Sequence, residues 1–306
     1  MSCPVCRTDH ARPVAPYRHT SALFAGRSRT MCDTCGMVFA SPMPDEAALA
    51  AYNASYFDSA HGGAPTNPVA IAFHSAINRL RVAYVERYMD IRSISVQSVL
   101  EVGAGGGHFA RHWLARHTGT RYHAIESDVS LRPALRAQGV ELHEDLQDLL
   151  QRPPLDLVAM SHVLEHTIDP SAFLIAMTAR LRRGGALFIE VPCRDWEHKT
   201  HDEPHLLFFD KAPMARLLSE LGFGEIQLTY HGREITELRS RSLVARFAGA
   251  LRSRLLARGI VAPYSRMVPG LEVLEDPLER AAVAPFQAHF EQSNPAWWLR
   301  TMAQKL

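Results

Sequence analysis

Between residues 71 and 88 the apolar side chains Phe73, Ile77, Leu80, Tyr84 and Tyr88 recur at steps of three and four. That spacing lays one stripe along a helix and predicts an amphipathic helix here. Downstream the pattern alternates. VQSVLEVG (96–103) is a short apolar run that ends in glycine, as a buried strand entering a tight turn does. HFARHWLARH (108–117) puts Phe109, Trp113 and Leu114 on one helical face. RYHAIES (121–127) and VELHED (140–145) are predicted strands flanking a helix, LRPALRAQG (131–139), stopped by glycine. LDLVAMSHVLEH (155–166) is predicted as a fourth strand, PSAFLIAMTARLRRGG (170–185) as a helix with a glycine stop, and ALFIEVP (186–192) as a fifth strand. APMARLLSELGF (212–223) and EIQLTYHG (225–232) add a helix and a sixth strand. AWWLRTMAQKL (296–306) is predicted to return to the sheet edge as a last strand.

Strand and helix in this alternation predict an α/β fold with a doubly wound, mostly parallel sheet. The chain divides into 1–45, 46–95 (a short helix, a Gly/Pro/Asn loop and the amphipathic helix), 96–238 as the α/β core, a helical insertion at 239–292, and the strand at 293–306.

The first stretch is set apart by its cysteines. Cys3, Cys6, Cys32 and Cys35 give C-x₂-C-x₂₅-C-x₂-C, the spacing of metal ligands. Four thiolates close a tetrahedral site without an open position, so the expected ion is a structural zinc. Five cysteines, four of them in such pairs, suit a reducing compartment, and the cytoplasm is the expected location. No apolar run approaches a membrane span and no secretory h-region opens the chain. Lys+Arg 33 against Asp+Glu 32 leaves +1, so no global field recruits a phosphate backbone. Residues 239–258 are nonetheless Arg-rich and free of acid.

The glycine turn, EVGAGGGH, carries Glu101, Gly103, Gly105, Gly106, Gly107 and then His108. A dinucleotide fingerprint needs glycine at position 108; here the glycines fall as G-x-G-x-G, fit for a cofactor without phosphates. Glu126 ends the second strand, where a carboxylate can accept ribose hydroxyls. Asp145 and Leu146 follow the third strand, where an adenine would be read.

EVGAGGGHF, AIESD, HEDL, DLVAMSHVLEHTIDP and GGALFIEVP, in that order, resemble class I S-adenosylmethionine-dependent methyltransferases over residues 96–230, and SHVLEHTIDP resembles the subgroup that acts on small molecules. The resemblance implies a seven-stranded Rossmann-like sheet and S-adenosylmethionine as cofactor. It implies that Glu101 or the nearby turn faces the methionine ammonium, that Gly103, Gly105 and Gly107 cradle the cofactor, and that Glu126 holds the ribose. Asp145 and Leu146 would hold the adenine, and His162 would lie beside the sulfonium.

Methyl transfer to a hydroxyl, a carbon acid or a protonated amine needs a base. Candidates follow strands four and five: His162, Glu165 and His166, then His198, His201, Asp202, Glu203 and His205 in HKTHDEPHLLFFD (198–210). His205 is the first choice, with His201, His162 and Glu203 behind it. EPHLLFFDKAPMARLLSELGF resembles a segment of sugar and natural-product methyltransferases. Its sugar C-methylating members carry Tyr-x-Glu-His, whereas here Pro204 precedes His205, Glu203 is displaced and the tyrosine is missing. Tyr52, Tyr56 and Phe57 match that group's aromatic element over the cofactor, and Tyr56 is placed near the cofactor.

The expected acceptor is therefore a small molecule, such as a sugar or a nucleotide-linked sugar, with the zinc module as one wall; oligomeric state stays open. The competing reading is a ribosomal RNA base methyltransferase with a zinc knuckle. Arg7, Arg12, Arg18, Arg27 and Arg29 favour it; the net charge and the missing Asn/Asp-Pro-Pro-Tyr motif oppose it. The 239–290 insertion is expected over the substrate entrance or at a subunit contact.

Overall fold

A computed structural model describes residues 2–54, 66–144, 146–149, 152–240, 243–263 and 268–306. Tyr56, Phe57 and Asp145 lie outside these residues.

The predicted alternation is present. β4 (Ser98–Val102), β5 (Arg121–Ile125), β6 (Glu141–His143), β7 (Leu155–Ser161) and β8 (Leu181–Pro192) are parallel neighbours in the order β8-β7-β4-β5-β6. β10 (Phe223–Glu234), the two-residue β11 (Glu291–Gln292) and β12 (Ala296–Lys305) complete an eight-stranded sheet ordered β11-β10-β12-β8-β7-β4-β5-β6. β12 is therefore not an edge strand. It runs antiparallel between β8 and β10, pairing Leu299 with Val191 on one side and Tyr230 on the other. Its burial on both sides is what the apolar run in AWWLRTMA requires. β11 is the one strand beyond the expected seven.

Two boundaries shift. β7 ends at Ser161, and residues 164–166 form a 3₁₀ turn instead of continuing the strand. The helix predicted over 170–185 stops at Met177, and Leu181 already pairs with Leu155. Gly184 and Gly185 thus lie in β8, where a Cβ on Gly185 would come 2.9 Å from the Arg182 carbonyl oxygen. The glycines serve a strand distortion, not a helix stop.

Helices cover both faces. α1 spans Glu46–Asn53, with the Asp45 carboxylate accepting from Ala48 N–H. α2 spans Pro68–Ile91, capped by Asn67. α3 (His108–Arg116), α4 (Arg132–Ala137), α5 (Pro170–Met177) and α6 (Lys211–Glu220) are the crossovers of the core. On one sheet face Tyr84, Tyr88, Phe109, Trp113 and Phe188 pack together. On the other, Leu100, Val158, Ile189 and Leu299 pack with Leu206–Phe209 and with Phe24, Met37 and Phe39 of the N-terminal module.

That module is not confined to residues 1–45. β1 (Ala11–Pro16), β2 (Ser28–Cys32) and β3 (Val38–Ser41) form an antiparallel sheet whose fourth strand, β9 (Leu207–Phe208), comes from the core. Phe39 and Phe208 are almost fully buried there. Each buried aromatic of this kind contributes about 2 kcal/mol of adhesion. α7 (Ile235–Arg239) leads into the insertion, which holds α8 (Leu243–Ala257) and α9 (Pro277–Val283). Val283, Leu271 and Leu274 pack on Ala76, Ile77 and Leu80 of α2. Leu238 and Arg239, from α7, face the cleft described next.

Candidate active site

The site is built at the carboxyl ends of β4, β5, β7 and β8, where an open α/β sheet leaves its crevice. Val102 leads into a turn in which Gly103, Gly105 and Gly107 hold φ of 70°, 54° and 72°. These are left-handed angles that glycine adopts without strain. Side chains are excluded there on a second ground. A Cβ on Gly103 would fall 2.5 Å from Val163 Cγ2, and one on Gly107 would fall 2.9 Å from Leu135 Cδ2. The Gly105 N–H donates to Glu126 Oε2 at 2.6 Å, and the Asp128 N–H donates to Oε1 at 2.8 Å. Glu126 is buried, which raises its pKa against those donors.

Glu101 lies one strand position below the turn, also buried, and accepts from Tyr122 Oη–H at 2.7 Å. Burial pushes its carboxyl up to about 8, although the Tyr122 bond opposes this. A carboxyl so poised gains most from a nearby cation. Leu146 is partly buried against the core of the opposite sheet face, which holds Leu100 and Val102. Glu101, the three glycines and Glu126 lie together at the ends of β4 and β5, and Leu146 follows β6.

His162 follows β7 at φ 57°, and its N–H donates to the Glu190 carbonyl at 2.8 Å. Its side chain is 35% exposed, whereas the carboxylates beside it are sealed. Nδ1 stands 3.2 Å from Glu165 Oε1, and Nε2 stands 3.5 Å from Glu190 Oε1. Burial pulls the imidazole pKa down, but Glu165 and Glu190 pull it up and prevail. Glu190 sits in β8 and is braced by two buried guanidiniums, Arg81 of α2 and Arg300 of β12, the latter at 2.6 Å. These hold its carboxyl well below the usual range in spite of burial.

His205 is arranged differently. It is buried, and its Nδ1 is 2.7 Å from Asp195 Oδ2, which also meets Lys199 Nζ at 2.8 Å. Its backbone carbonyl accepts from Tyr17 Oη–H, so the N-terminal module grips it. Its ring crosses that of His166 edge-on at 4.9 Å, and Glu165 stands close to both. Lys199 leads outward to a cleft of 610 Å³ lined by Glu197, His198, Lys199, His201, Arg239 and Trp297, among others. His201 is exposed on that wall. Glu203 lines the same cleft, with its carboxylate held by the N-terminal module. Its carboxylate accepts from Thr20 N–H at 2.8 Å, Ser21 N–H at 3.0 Å and the Thr20 hydroxyl, which ties the loop to the N-terminal module. Cys193 is buried, and burial raises its thiol well above the ordinary range.

Sequence reasoning missed Asp195, Glu190, Arg81 and Arg300. Two signals were present: Glu190 interrupts the apolar run ALFIEVP, and Arg300 interrupts AWWLRTMA. A charge inside a buried strand needs a partner.

The four cysteine sulfurs lie within 4.8 Å of one another, with Cys3 Sγ 3.6 Å from Cys35 Sγ and Cys6 Sγ 3.5 Å from Cys32 Sγ. Zinc–thiolate bonds of about 2.3 Å in a tetrahedron need sulfurs about 3.8 Å apart, so the set fits a zinc ion.

A mostly parallel sheet with a glycine turn, a buried carboxylate on that turn and a histidine after β7 is the framework of a nucleoside-cofactor transferase. Residues 73–228 match a family model described as a methyltransferase domain, and the chain belongs to that family. Among curated relatives it is 32% identical over 150 residues to a ubiquinone biosynthesis O-methyltransferase of Xylella fastidiosa, covering 46% of this chain and 56% of that one. It is 25% identical over 126 residues to a trans-aconitate 2-methyltransferase of Mycobacterium tuberculosis, covering 41% and 48%. The chain thus spans about half the length of the curated relatives it matches. A solved SAM-dependent methyltransferase of Archaeoglobus fulgidus shares 16% identity at a TM-score of 0.44, covering 82% of this chain and 98% of that one.

Proposed function

We propose that the protein transfers a methyl group from S-adenosylmethionine to a small-molecule acceptor. The observation that carries this is the adjacency of two elements: the Gly103–Gly107 turn, with Glu126 on its backbone and Gly103 packed against Val163, and the half-open imidazole of His162, the residue before Val163, between two carboxylates. The cofactor supplies an activated sulfonium methyl. The chain's part is to hold, align and deprotonate. Glu126 exchanges its bond to Gly105 N–H for the ribose hydroxyls, and Glu101 meets the ammonium.

His162 is the base in this reading, displacing His205. The His162 side chain is partly exposed, and Glu165 and Glu190 at its two nitrogens stabilise the imidazolium formed when it takes up a proton. His205, sealed against Asp195, positions the 195–205 loop and leaves the proton to His162. The acceptor enters by the 610 Å³ cleft, whose Trp297 face and mixed charges suit a ring bearing hydroxyls, such as a sugar or a phenolic compound. Zinc at Cys3, Cys6, Cys32 and Cys35 is structural and fixes the wall that holds His205.

The RNA reading loses its support in the arginines. Arg7 donates to Asp169, Arg12 to Asp33, Arg18 to Asp202, and Arg27 to the Leu23 and Ala25 carbonyls; Arg29 lies 3.4 Å from Asp202. The deciding experiment incubates the chain with methyl-tritiated S-adenosylmethionine and, separately, phenolic and sugar acceptors or ribosomal RNA. Label in a small-molecule fraction is expected. Label only in RNA would overturn the reading, as would failure of S-adenosylhomocysteine to bind in calorimetry.

A further inference from the structure

On the sheet face away from Tyr122, Ala124 and Trp113, three metal-ligating side chains converge without any role in the crevice. β5 and β6 run parallel with His123 opposite Glu141 and Ile125 opposite His143. Alternation along a strand therefore puts His123, Glu141 and His143 on one face. His123 is 3% and His143 6% exposed, which is unusual for two imidazoles in contact. His123 Nδ1 lies 3.0 Å from His143 Nε2. Glu141 Oε2 lies 3.4 Å from His123 Nδ1, and Oε1 4.0 Å from His143 Nε2. One nitrogen of each ring and one carboxylate oxygen thus fall within 4.8 Å of one another. An ion with bonds of about 2.0–2.1 Å holds tetrahedral ligands about 3.4 Å apart.

We infer that His123, His143 and Glu141 form a second divalent-metal site, distinct from the four-cysteine site. Its ligand set of two imidazoles and one carboxylate selects a borderline cation of the zinc class and leaves a fourth position to water.

The surroundings fit such a site. At 3.0 Å the two imidazoles share one proton between His123 Nδ1 and His143 Nε2. An entering cation displaces that proton, either to solvent or to the outer nitrogen of a ring. The outer nitrogen of His143, Nδ1, faces Asp148 Oδ2 at 3.9 Å, and closure by about 1 Å completes a carboxylate–histidine–metal arrangement. Asp148 also accepts the Glu144 N–H at 3.3 Å, so the ion would tighten the turn after β6. Arg152 donates to Glu141 Oε1 at 2.5 Å, which leaves Oε2 turned to the ion.

The test uses the full, tag-free chain with zinc in its four cysteines. After equilibration with zinc and desalting, mass-spectrometric metal analysis should find two zinc ions per chain in the wild type and one in His143→Gln or His123→Gln. Cobalt(II) added to the chain that holds a single zinc should raise visible d–d bands without sulfur charge-transfer intensity. One zinc per chain with no d–d band in the wild type overturns the proposal. So do bands that persist in both histidine variants, or bands with sulfur charge-transfer intensity, which would place the ion at the cysteines. Should a histidine variant lose its far-ultraviolet circular dichroism, Glu141→Gln at a half-exposed position decides. It should weaken cobalt affinity about tenfold or more, and unchanged affinity counts against the site.

Discussion

Nδ1 of His162 lies 3.2 Å from Oε1 of Glu165, a carboxylate with 1% side-chain exposure and no hydrogen-bond donor among the described residues. The pair compensates itself. A carboxylate sealed from water demands a positive neighbour, and the half-open imidazole supplies it. Glu165 accordingly sits below its ordinary pKa despite burial, and His162 sits above. A base must be neutral to accept a proton. Methyl transfer should therefore rise with pH through an inflection above the ordinary imidazole value of about 6.5. Glu165→Gln removes one of the two raising charges and should lower that inflection by about one unit or more. Nitrogen-15 NMR titration of His162 reads this without an acceptor; an unmoved pKa in the variant would break the link.

The Asp195–His205 pair predicts a different signature. Asp195 is buried, and His205 and Lys199 hold its carboxyl far below the ordinary value against that burial. Asp195→Asn should cost about 3 kcal/mol, the low end for breaking a buried pair, because the amide oxygen still accepts a hydrogen bond. A depressed folded pKa stabilises above the unfolded value and loses that contribution as pH falls through the folded one. The stability gap between wild type and variant should be flat from pH 7 to pH 5 and narrow below about pH 4. Urea unfolding at several pH values measures it. A gap that widened in acid would contradict the pairing.

Much of this fold was legible because its signals are local. Apolar runs of five to seven residues, punctuated by glycine, located β4, β5, β7 and β8. The cysteine spacing, the glycine turn and Glu126 were legible for the same reason, since each rests on near neighbours. What escaped depends on distant partners. Nothing near 296–306 says that β12 inserts between β8 and β10, because strand order is set by long-range pairing. Asp195 precedes His205 by ten residues across a turn and a 3₁₀ segment, and no periodicity connects them. Glu203 reads as a candidate base from its neighbours in HDEPH. Its true partners, Thr20 and Ser21, lie over 180 residues away.

Gly103→Ala tests the turn. The backbone there is left-handed, and the new Cβ would meet Val163 Cγ2 at 2.5 Å. Left-handed strain alone is about 1–2 kcal/mol for a non-glycine residue. The side chain on the other side of the contact is β-branched and cannot yield by rotation. S-adenosylhomocysteine affinity should fall at least tenfold in calorimetry with the fold retained. Gly119→Ala, at φ 85° but with open space around it, is the control for backbone strain without the clash. If both variants bind equally well, the turn is not the cofactor cradle.

Zinc removal should separate the two halves of the site. Cys3 and Cys6 flank the turn before β1, Cys32 ends β2 and Cys35 lies in the turn to β3, which carries β9 as its neighbour. From the same module Arg18 bonds the carbonyls of Trp196 and Lys199 and the Asp202 carboxylate, while Tyr17 bonds the His205 carbonyl. Without metal a segment this short cannot hold its sheet. Its loss releases residues 194–208, several of which line the cleft. The glycine turn, Glu101 and Glu126 are carried by β4 and β5 and touch none of these contacts. Cys32→Ser should therefore lose its zinc, become sensitive to protease within 194–205 and drop methyl transfer by about a hundredfold or more, the scale of a misplaced catalytic group. S-adenosylhomocysteine affinity should stay within about threefold, a difference well under 1 kcal/mol. A variant that lost cofactor and acceptor function together would show the metal to be a general prop for the fold and not the support of one wall.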